Sequence, residues 1–580
     1  MTQIANTIQS IPALLQARAN DLNTAQRIKH LGLWKKITWQ EHVNKVNALA
    51  AKLIELGVKK DDKVGLLSEN RPEWLISDLA IQSATGVTVG IYSTSSPKQL
   101  SYVLEHSQSV GLILENSEQL EKWLEIKDQL PNIKWAILIE PEGFDDLLSW
   151  DDALSEGKKL YQRNPKTVQD RIESIQNDDL CLLMYTSGTT GNPKGVMLSH
   201  KNMLWAAKTL EQTLGYNKDD EIISYLPLSH VVERGGSFAA IKAGFTTSFV
   251  ENLDTFAQNL QEVRPTVLFA VPRIWEKMHS LVELHMRENH FLKRAMYSWA
   301  TKNMAEQKAA STLANITVIK WLKYRLGLDR LRIAISGAAP ISPQILAYFR
   351  FLGIDLREGY GMTENSGLTS IHQKDFVFGT VGTAFPSVEI KLANDGEILT
   401  KSDGTMLGYF HDSKATAEVI SGEWLHSGDI GEFDESGQLK ITDRKKDIII
   451  TAGGKNIAPQ KIENLLKSSI FINDAVVIGD KRKYLTALLV LDEDNISQWA
   501  AEQQLSYTTY GDLATNEDVY KLIGSDVEKT NKQLARVETI KKFAILPKRL
   551  YYEDGEVTAT LKVKRSSISK KYADLIESLY

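Results

Sequence analysis

The sequence predicts an α/β protein. We expect a large N-terminal domain of layered, mostly parallel sheets with helices and a small β-barrel, followed by a smaller, mobile α+β C-terminal domain. Short apolar runs alternate with helical segments from about residue 64 onward, and this order builds parallel sheets that helices cover on both faces. From about Gly396, short strands and turns replace that order, as in a small barrel. A chain of 580 residues also exceeds one comfortable core, so two or more domains are expected.

Hydrophobic runs and helix-start signals place the individual elements. Strands are predicted at residues 64–67, 87–91, 110–114, 135–139, 180–184, 267–270 and 333–335, and helices are predicted after Pro72 and Pro97, over residues 118–130 and after an N-cap at Ser199. In open α/β sheets, ligands bind at the carboxyl ends of the strands. The segments Gly337-Ala338-Ala339-Pro340 and Gly359-Tyr360-Gly361 lie at such ends and are candidate ligand loops.

A charged cluster marks the predicted domain boundary. Asp443-Arg444-Lys445-Lys446 precedes a new apolar strand at residues 448–450 and the glycine pair Gly453-Gly454. We therefore assign residues 1–445 to the large domain and residues 446–580 to the small C-terminal domain.

The composition argues against several classes of protein. The chain has 68 basic and 73 acidic residues, and the net charge of −5 argues against a nucleic-acid-binding protein. The single cysteine, Cys181, excludes an internal disulfide framework and a cysteine-based metal site. Its place in an apolar run indicates a core residue and fits a reducing compartment. Because eighteen apolar residues never run together, we expect a soluble, cytoplasmic protein.

Residues 276–326 are predicted to form amphipathic helices in which Trp299 and Trp321 lie among lysines and arginines. One interpretation is peripheral contact with a bilayer surface, on the cytoplasmic side of the membrane. The alternative is helices packed on the protein, with lysine side chains that reach outward to solvent.

The most informative segment is residues 185–200, which read Tyr-Thr-Ser-Gly-Thr-Thr-Gly-Asn-Pro-Lys-Gly-Val-Met-Leu-Ser-His. Glycines let the backbone turn its N–H groups toward phosphate oxygens, hydroxyl groups add donors, and the lysine adds positive charge. The segment therefore predicts a phosphate-binding loop with the candidate contacts Thr186, Ser187, Gly188, Thr189, Thr190, Gly191 and Lys194. It is not a Walker loop, because Pro193 precedes the lysine and Gly195 follows it. An ordinary glycine-rich surface turn is the alternative.

This loop resembles the signature loop of the adenylate-forming superfamily, which includes acyl-CoA synthetases, adenylation domains of peptide synthetases, and luciferases. Four further segments match that superfamily in order, so the resemblance extends from about Leu31 to Arg565. In Glu358-Gly359-Tyr360-Gly361-Met362-Thr363-Glu364, the resemblance implies that Tyr360 stacks on adenine, beside Gly361, and that Thr363 meets the α-phosphate. It also implies that Glu364, together with Thr186, helps bind Mg²⁺. A structural turn is the alternative interpretation.

Two segments near the domain boundary extend the match. Trp424-Leu425-His426-Ser427-Gly428-Asp429 resembles a motif whose aspartate accepts hydrogen bonds from both ribose hydroxyls, with Ser427 in place of the commoner threonine. The resemblance makes Arg444 the second ribose contact and Lys446 the hinge between the domains. The alternatives are a turn aspartate at position 429 and a solvated run of charges at residues 443–447.

The last matching segment, residues 558–565, resembles the catalytic-lysine motif and places Lys562 between the substrate carboxylate and the α-phosphate. Lys564 would share a face with Lys562 in an extended strand, so a register two residues later is the alternative.

Segments 226–234, 271–277 and 561–565 look most like long-chain acyl-CoA synthetases. The resemblance places His230 beside the substrate carboxylate, and a helix-cap histidine is the alternative. Some long-chain members have a tryptophan gate where this chain has Arg234.

The implied activity uses ATP, Mg²⁺ and coenzyme A to convert a long-chain fatty acid into acyl-AMP and then acyl-CoA, while the small domain rotates about Lys446. Three alternatives remain. These are a ligase that passes the acyl group to a carrier protein, a luciferase-like oxidation, and a catalytically degenerate nucleotide- or fatty-acid-binding regulator.

Overall fold

The computed structural model describes residues 8–143, 147–186, 192–288, 319–373, 376–452, 454–551, 554–558 and 563–580. The strands are β1 (Thr24–His30), β2 (Leu33–Thr38), β3 (Lys63–Leu67), β4 (Val87–Ile91), β5 (Gly111–Leu114), β6 (Trp135–Leu138), β7 (Leu148–Ser149), β8 (Leu180–Thr186), β9 (Lys194–Ser199), β10 (Glu221–Ser224), β11 (Thr246–Phe249), β12 (Val267–Ala270), β13 (Ile333–Ser336), β14 (Leu356–Tyr360), β15 (Ser370–Ile371), β16 (Thr383–Ala384), β17 (Glu389–Leu392), β18 (Glu397–Lys401), β19 (Gly408–Tyr409), β20 (Ile420–Ser421), β21 (Trp424–Phe433), β22 (Leu439–Arg444), β23 (Ile449–Ile450), β24 (Asn456–Ile457), β25 (Ile472–Ile478), β26 (Leu485–Leu491) and β27 (Ile540–Ile545).

The helices are α1 (Ile11–Gln16), α2 (Trp39–Glu55), α3 (Pro72–Ser83), α4 (Pro97–Ser107), α5 (Ser117–Ile126), α6 (Trp150–Arg163), α7 (Lys166–Ser174), α8 (His200–Leu214), α9 (Val231–Ala243), α10 (Phe256–Val263), α11 (Pro272–Glu288), α12 (Lys320–Leu326), α13 (Pro343–Phe351), α14 (Ser413–Val419), α15 (Pro459–Leu466), α16 (Glu493–Glu502), α17 (Tyr510–Thr515), α18 (Glu517–Asn531), α19 (Arg565–Lys571) and α20 (Ala573–Ser578). Short 3₁₀ turns form at Lys127–Gln129 and Thr363–Asn365. None of the described helices combines the length and apolar character needed to cross a bilayer.

Two mostly parallel sheets build the large domain, as predicted. One has eight strands in the order β19-β9-β8-β4-β3-β5-β6-β7, with antiparallel pairing only where β8 meets β9 and β9 meets β19. The other has nine strands in the order β16-β15-β14-β13-β12-β10-β11-β1-β2, and the run from β14 to β1 is parallel throughout. Helices follow most of these strands, so central strands such as β4, β5 and β13 are buried on both faces.

The segment predicted as a small barrel is a five-stranded antiparallel sheet of β17, β18, β20, β21 and β22. The C-terminal region contains a small β23-β24 pair and a three-stranded β25-β26-β27 sheet with helices packed against it. The predicted α/β fold class is therefore confirmed.

The sequence predicts the starts of two helices, α4 and α8, correctly. Ser96 and Ser199 are the N-caps of α4 and α8, and both helices start with a capping box. One difference concerns β8, which continues beyond the predicted residue 184 to Thr186 and returns as β9 before α8 begins. Trp299 and its basic neighbours Lys293, Arg294 and Lys302 lie outside the described residues.

Candidate functional site

The predicted phosphate loop connects β8 to β9. Thr186 and Lys194 are cross-strand partners at the loop end of this hairpin. The candidate contacts Ser187, Gly188, Thr189, Thr190 and Gly191 lie outside the described residues. Gly195, the first residue after Lys194, is tightly packed, because a Cβ there would lie 3.3 Å from the Tyr185 ring. The two strands are therefore closely packed at the loop end of the hairpin.

A tyrosine joins the phosphate hairpin to the predicted magnesium-binding turn. The ammonium group of Lys194 lies 4.7 Å from the centre of the Tyr409 ring. The Tyr409 hydroxyl donates a hydrogen bond to Oε1 of Glu364 at 2.9 Å. Tyr409 can reach both groups because β19 pairs with β9. The structure thus brings Thr186, Lys194 and Glu364 to one place.

The turn that carries Glu364 needs close backbone contacts. A Cβ on Gly361 would lie 2.0 Å from the carbonyl oxygen of Gly367, so only glycine fits there. Thr363 and Glu364 form a 3₁₀ turn, and the Glu364 carbonyl accepts a hydrogen bond from the Met406 amide at 2.8 Å. These contacts fix the position of the Glu364 backbone.

Gly337 and Ala338 follow β13, next to the end of β14. A Cβ on Gly337 would lie 3.0 Å from the Gly359 carbonyl oxygen. Ala338 has φ of +67°, a left-handed conformation that non-glycine residues rarely adopt and that is concentrated at functional sites. Neighbouring Glu358 is buried and accepts a hydrogen bond from the Ile341 amide, and burial raises its pKa to about 8. At neutral pH this carboxyl group is therefore mostly protonated.

The predicted adenosine contacts converge across two sheets. The Tyr360 hydroxyl donates to Oδ2 of Asp429 at 2.6 Å, while Nε of Arg444 lies 3.2 Å from Oδ1 of the same carboxylate. Burial and the adjacent Asp429 carboxylate raise the pKa of Tyr360 well above its usual value, so the hydroxyl remains a donor. A carboxylate has about four lone-pair sites, and two remain for further donors such as ribose hydroxyls.

Two neighbouring residues hold Asp429 in place: Ser427, which belongs to the predicted motif, and Glu397, which the sequence does not indicate. The hydroxyl of Ser427 accepts a hydrogen bond from the Asp429 amide at 3.0 Å, so serine performs this backbone contact without the threonine methyl. Glu397, which is 7% exposed, accepts a hydrogen bond from the Gly428 amide at 3.0 Å and pairs with Lys445 at 3.1 Å. Glu397 lies far from these residues in sequence, and no local pattern indicates its role.

His230 occupies the N-cap of α9, where its Nδ1 accepts a hydrogen bond from the Val232 amide at 3.4 Å. This geometry matches the helix-cap interpretation, and contact with the substrate carboxylate stays a prediction. Arg234, one turn later, is 1% exposed and forms an ion pair with Asp78 at 2.8 Å. Its guanidinium also lies 4.2 Å from the Trp74 ring. Arg234 is therefore locked between α9 and α3.

The C-terminal motif is only partly described. Lys562 lies outside the described residues, as does Gly453. Val563 forms an isolated antiparallel bridge with Val557, and Lys564 precedes α19. Lys446 is exposed in the turn that follows β22, directly after Lys445, which pairs with Asp395 at 2.6 Å. The predicted hinge residue thus directly follows a lysine that is paired with the large domain.

The donor set near Glu364 fits magnesium. Among the described residues, no group of three or more histidine, cysteine, aspartate or glutamate side chains forms a metal cage. Mg²⁺ is usually bound by one or two carboxylates together with substrate phosphates, so a dedicated cage is not needed. The Glu364 carboxylate and the Thr186 hydroxyl are hard oxygen donors beside the phosphate hairpin and suit this role.

Comparisons with known proteins identify the family. The AMP-binding enzyme family matches residues 16–410, and the AMP-binding enzyme C-terminal domain matches residues 446–580. The chain is 34% identical over 569 residues to the long-chain-fatty-acid–CoA ligase FadD15 of Mycobacterium bovis, covering 95% of this chain and 93% of that protein. It is also 34% identical to the long-chain-fatty-acid–CoA ligase ACSBG2 of Xenopus laevis, covering 94% of this chain and 80% of that protein.

Solved structures show the same fold at lower identity. The anthranilate CoA ligase AuaEII, in complex with anthranoyl-AMP, superposes with a TM-score of 0.75 at 20% identity and 99% coverage of both chains. The A domain of carboxylic acid reductase from Segniliparus rugosus, in complex with AMP and a carboxylic acid, gives a TM-score of 0.76 at 20% identity, covering 100% of this chain and 95% of that chain. Since the family match spans well over half of the sequence, the chain belongs to the AMP-binding enzyme family.

Proposed function

We propose that the protein is a long-chain fatty acid–CoA ligase. It uses ATP to convert a fatty acid into acyl-AMP and pyrophosphate, and then transfers the acyl group to coenzyme A with release of AMP. The observation that carries the proposal is the arrangement of two polar clusters. Tyr360, Asp429 and Arg444 form one cluster, suited to adenosine, and Thr186, Lys194 and Glu364 form the other, suited to phosphates.

The chemistry explains why both clusters are needed. A carboxylate must be activated, because otherwise its leaving group would be an oxide dianion. In the first step a carboxylate oxygen attacks the α-phosphorus, and the bond to the pyrophosphate oxygen breaks. Lys194, the Thr186 hydroxyl and Lys562 stabilise the negative charge on the phosphates. Magnesium, when bound by Glu364 and Thr186, would neutralise part of this charge. In the second step the sulfur of coenzyme A attacks the acyl carbon, and the bond to AMP breaks.

One feature supports the long-chain substrate and the coenzyme A acceptor, and a second supports catalytic activity. The relatives identified above at 34% identity are named long-chain-fatty-acid–CoA ligases, and they align with nearly the whole chain. In addition, Asp429 and Glu364 are both in place, which is not expected of a degenerate binding protein. A ligase for a carrier protein would share the same motifs, so the identity of the acceptor requires a direct assay.

The experiment measures pyrophosphate release with ATP, Mg²⁺ and fatty acids of increasing chain length, followed by thioester formation with coenzyme A. We expect release to depend on a long acyl chain and thioester to form with free coenzyme A. Release without a thioester product would favour the carrier-protein alternative. The absence of fatty-acid-dependent release would refute the ligase proposal.

We also propose a cytoplasmic protein that contacts the membrane surface through α12. Trp321 and Tyr324 are 48% and 55% exposed on this helix, beside Lys320 and Arg325. Exposed aromatic rings next to basic groups suit the interface of an anionic bilayer. The test is co-sedimentation with vesicles of phosphatidylglycerol and phosphatidylcholine. Trp321→Ala should weaken binding, and equal sedimentation of both proteins would refute this contact.

A further inference from the structure

One face of α4 lies against the loop end of the β8–β9 hairpin, the predicted phosphate site. Tyr102 and His106 are four residues apart, so they lie one helical turn from each other on the same face. Their rings stack with centroids 5.4 Å apart. Neither residue belongs to the motifs that define the nucleotide site, and α4 is remote in sequence from β8 and β9.

These two side chains contact the hairpin on opposite sides of its loop. The Tyr102 hydroxyl donates a hydrogen bond to the Pro193 carbonyl oxygen at 3.1 Å, directly before Lys194. Nδ1 of His106 forms a hydrogen bond with the Tyr185 hydroxyl at 2.8 Å, directly before Thr186. One helix face thus contacts the loop at both of its ends.

Neighbouring residues pack against the arrangement. The His106 ring packs edge-on against Phe410 with centroids 5.9 Å apart, and the Phe410 amide donates to the Gly195 carbonyl at 2.8 Å. Burial, helped by nearby His411, lowers the pKa of His106, which favours the neutral ring at physiological pH. Neutral His106 and the Tyr185 hydroxyl then form an uncharged hydrogen bond.

We propose that Tyr102 and His106 are positioning residues that hold the two ends of the β8–β9 loop at the separation required for binding the β- and γ-phosphates of ATP. The inference rests on the proposed function of the hairpin as the phosphate site. Neither side chain is assigned contact with the substrate. Their effect reaches ATP through the backbone at Pro193 and through Tyr185.

This role predicts an effect on one ligand and one half-reaction. Loss of a single neutral hydrogen bond typically changes an equilibrium by about three- to tenfold. Tyr102→Phe keeps the ring stack and removes only the hydroxyl. It should raise the Kd for ATP and the KM for ATP in pyrophosphate release by about three- to tenfold. Binding of AMP and thioester formation from supplied acyl-AMP and coenzyme A should stay within about twofold, because pyrophosphate is absent from both.

A matched control and a rescue variant separate positioning from general damage. Tyr161→Phe removes a hydroxyl that accepts from Asn47 at 3.3 Å, on helix α6, which packs on α2, and it should leave ATP binding unchanged. His106→Ala should weaken ATP binding, whereas His106→Asn, which keeps a hydrogen-bonding group near the Nδ1 position, should restore part of it.

Calorimetric binding of ATP and AMP to the full-length protein tests the inference independently of turnover. If ATP and AMP binding weaken equally in Tyr102→Phe, or if neither changes, the proposed positioning role is wrong. If the wild-type protein binds ATP but releases no pyrophosphate with any fatty acid, the proposed ligase function fails, while the comparison of ATP with AMP still decides the role of Tyr102.

Discussion

Glu364 shows how single contacts fix a functional group. Its carbonyl oxygen accepts the Met406 amide, and its carboxylate accepts the Tyr409 hydroxyl, so both the backbone and the side chain are restrained. The same tyrosine ring lies against the Lys194 ammonium group. A carboxylate and a cation are thereby held near each other without forming a direct ion pair among the described contacts, which leaves both available to a phosphate and its metal ion.

The first prediction tests Glu364 as a magnesium ligand. Glu364→Gln keeps the size of the side chain and can still accept from Tyr409, but it removes the negative charge that Mg²⁺ prefers. We expect the rate of fatty-acid-dependent pyrophosphate release to fall by at least about tenfold, whereas the Kd for AMP should change little. Stopped-flow assays and calorimetry provide the two values. Equal losses in both would instead indicate a structural role.

The second prediction concerns Glu233, a buried carboxyl on α9 that is 8% exposed. Burial raises its pKa from 4.5 to about 8. Between these two pH values the unfolded chain releases a proton that the folded protein keeps, so the stability falls as the pH rises through this window. Glu233→Gln removes the titration. The difference in Tm, variant minus wild type, should therefore be more positive at pH 8 than at pH 5. A difference in Tm that is independent of pH would contradict this assignment.

At the scale of elements, a buried ion pair connects helices α3 and α9. Asp78 lies on α3, which packs on the eight-stranded sheet, and Arg234 lies on α9, which follows β10 of the nine-stranded sheet. Asp78 is fully buried and Arg234 is 1% exposed. Arg234 also stacks on Trp74. Rotation of the Arg234 side chain away from this position would leave the Asp78 carboxylate without a charge partner in the core.

The third prediction follows from this burial. Removing one partner of a buried ion pair typically costs about 3–5 kcal/mol, because the remaining charge has no partner. Asp78→Asn should therefore lower the Tm strongly. Asp355→Asn is the matched control, because the pair of Asp355 with Arg357 is partly exposed and should contribute about 0–1 kcal/mol. Thermal unfolding monitored by circular dichroism compares the two variants, and similar small shifts in both would refute the structural role of the pair.

The fourth prediction concerns the turn between β22 and β23. Lys445 is tied to Asp395 and Glu397 of the large domain, whereas Lys446 is exposed. Proline at position 446 fixes φ near −65° and should hinder a rotation that uses this residue as its pivot. Lys446→Pro should largely retain adenylation and lose most of thioester formation, while Lys446→Ala should retain both. If the proline variant loses both half-reactions equally, the pivot lies elsewhere.

For the whole molecule, the sequence predicts local features well and contacts between distant segments poorly. Strands 87–91 and 267–270 match β4 and β12 because burial on both faces produces short runs of mostly apolar residues. The positions of Tyr360 and Asp429 follow from motif resemblance, and their mutual hydrogen bond appears only in the fold. Tyr409 has no local signal, since β19 has two residues and gains its role from pairing with β9. The contacts of α4 with the hairpin depend on packing in the same way.

The last prediction concerns the catalytic role of Lys562, a residue of the small domain. Lys562 is proposed to act only in the first half-reaction, when negative charge gathers between the carboxylate and the α-phosphate. Loss of one preorganised donor typically costs about 10²–10³ in rate, and a cation should lie at the upper end of this range. Lys562→Ala should therefore be nearly inactive with ATP and fatty acid.

Attack by coenzyme A on acyl-AMP needs no such bridge, so Lys562→Ala should convert supplied acyl-AMP and coenzyme A to thioester at close to the wild-type rate. Lys564→Ala is the matched control for the alternative register, two residues later. Because Lys564 directly precedes α19 and its amide donates to the Glu556 carbonyl, a backbone contact that alanine retains, this variant should keep most of both half-reactions. If Lys564→Ala abolishes adenylation and Lys562→Ala does not, then Lys564 is the residue that bridges the carboxylate and the α-phosphate.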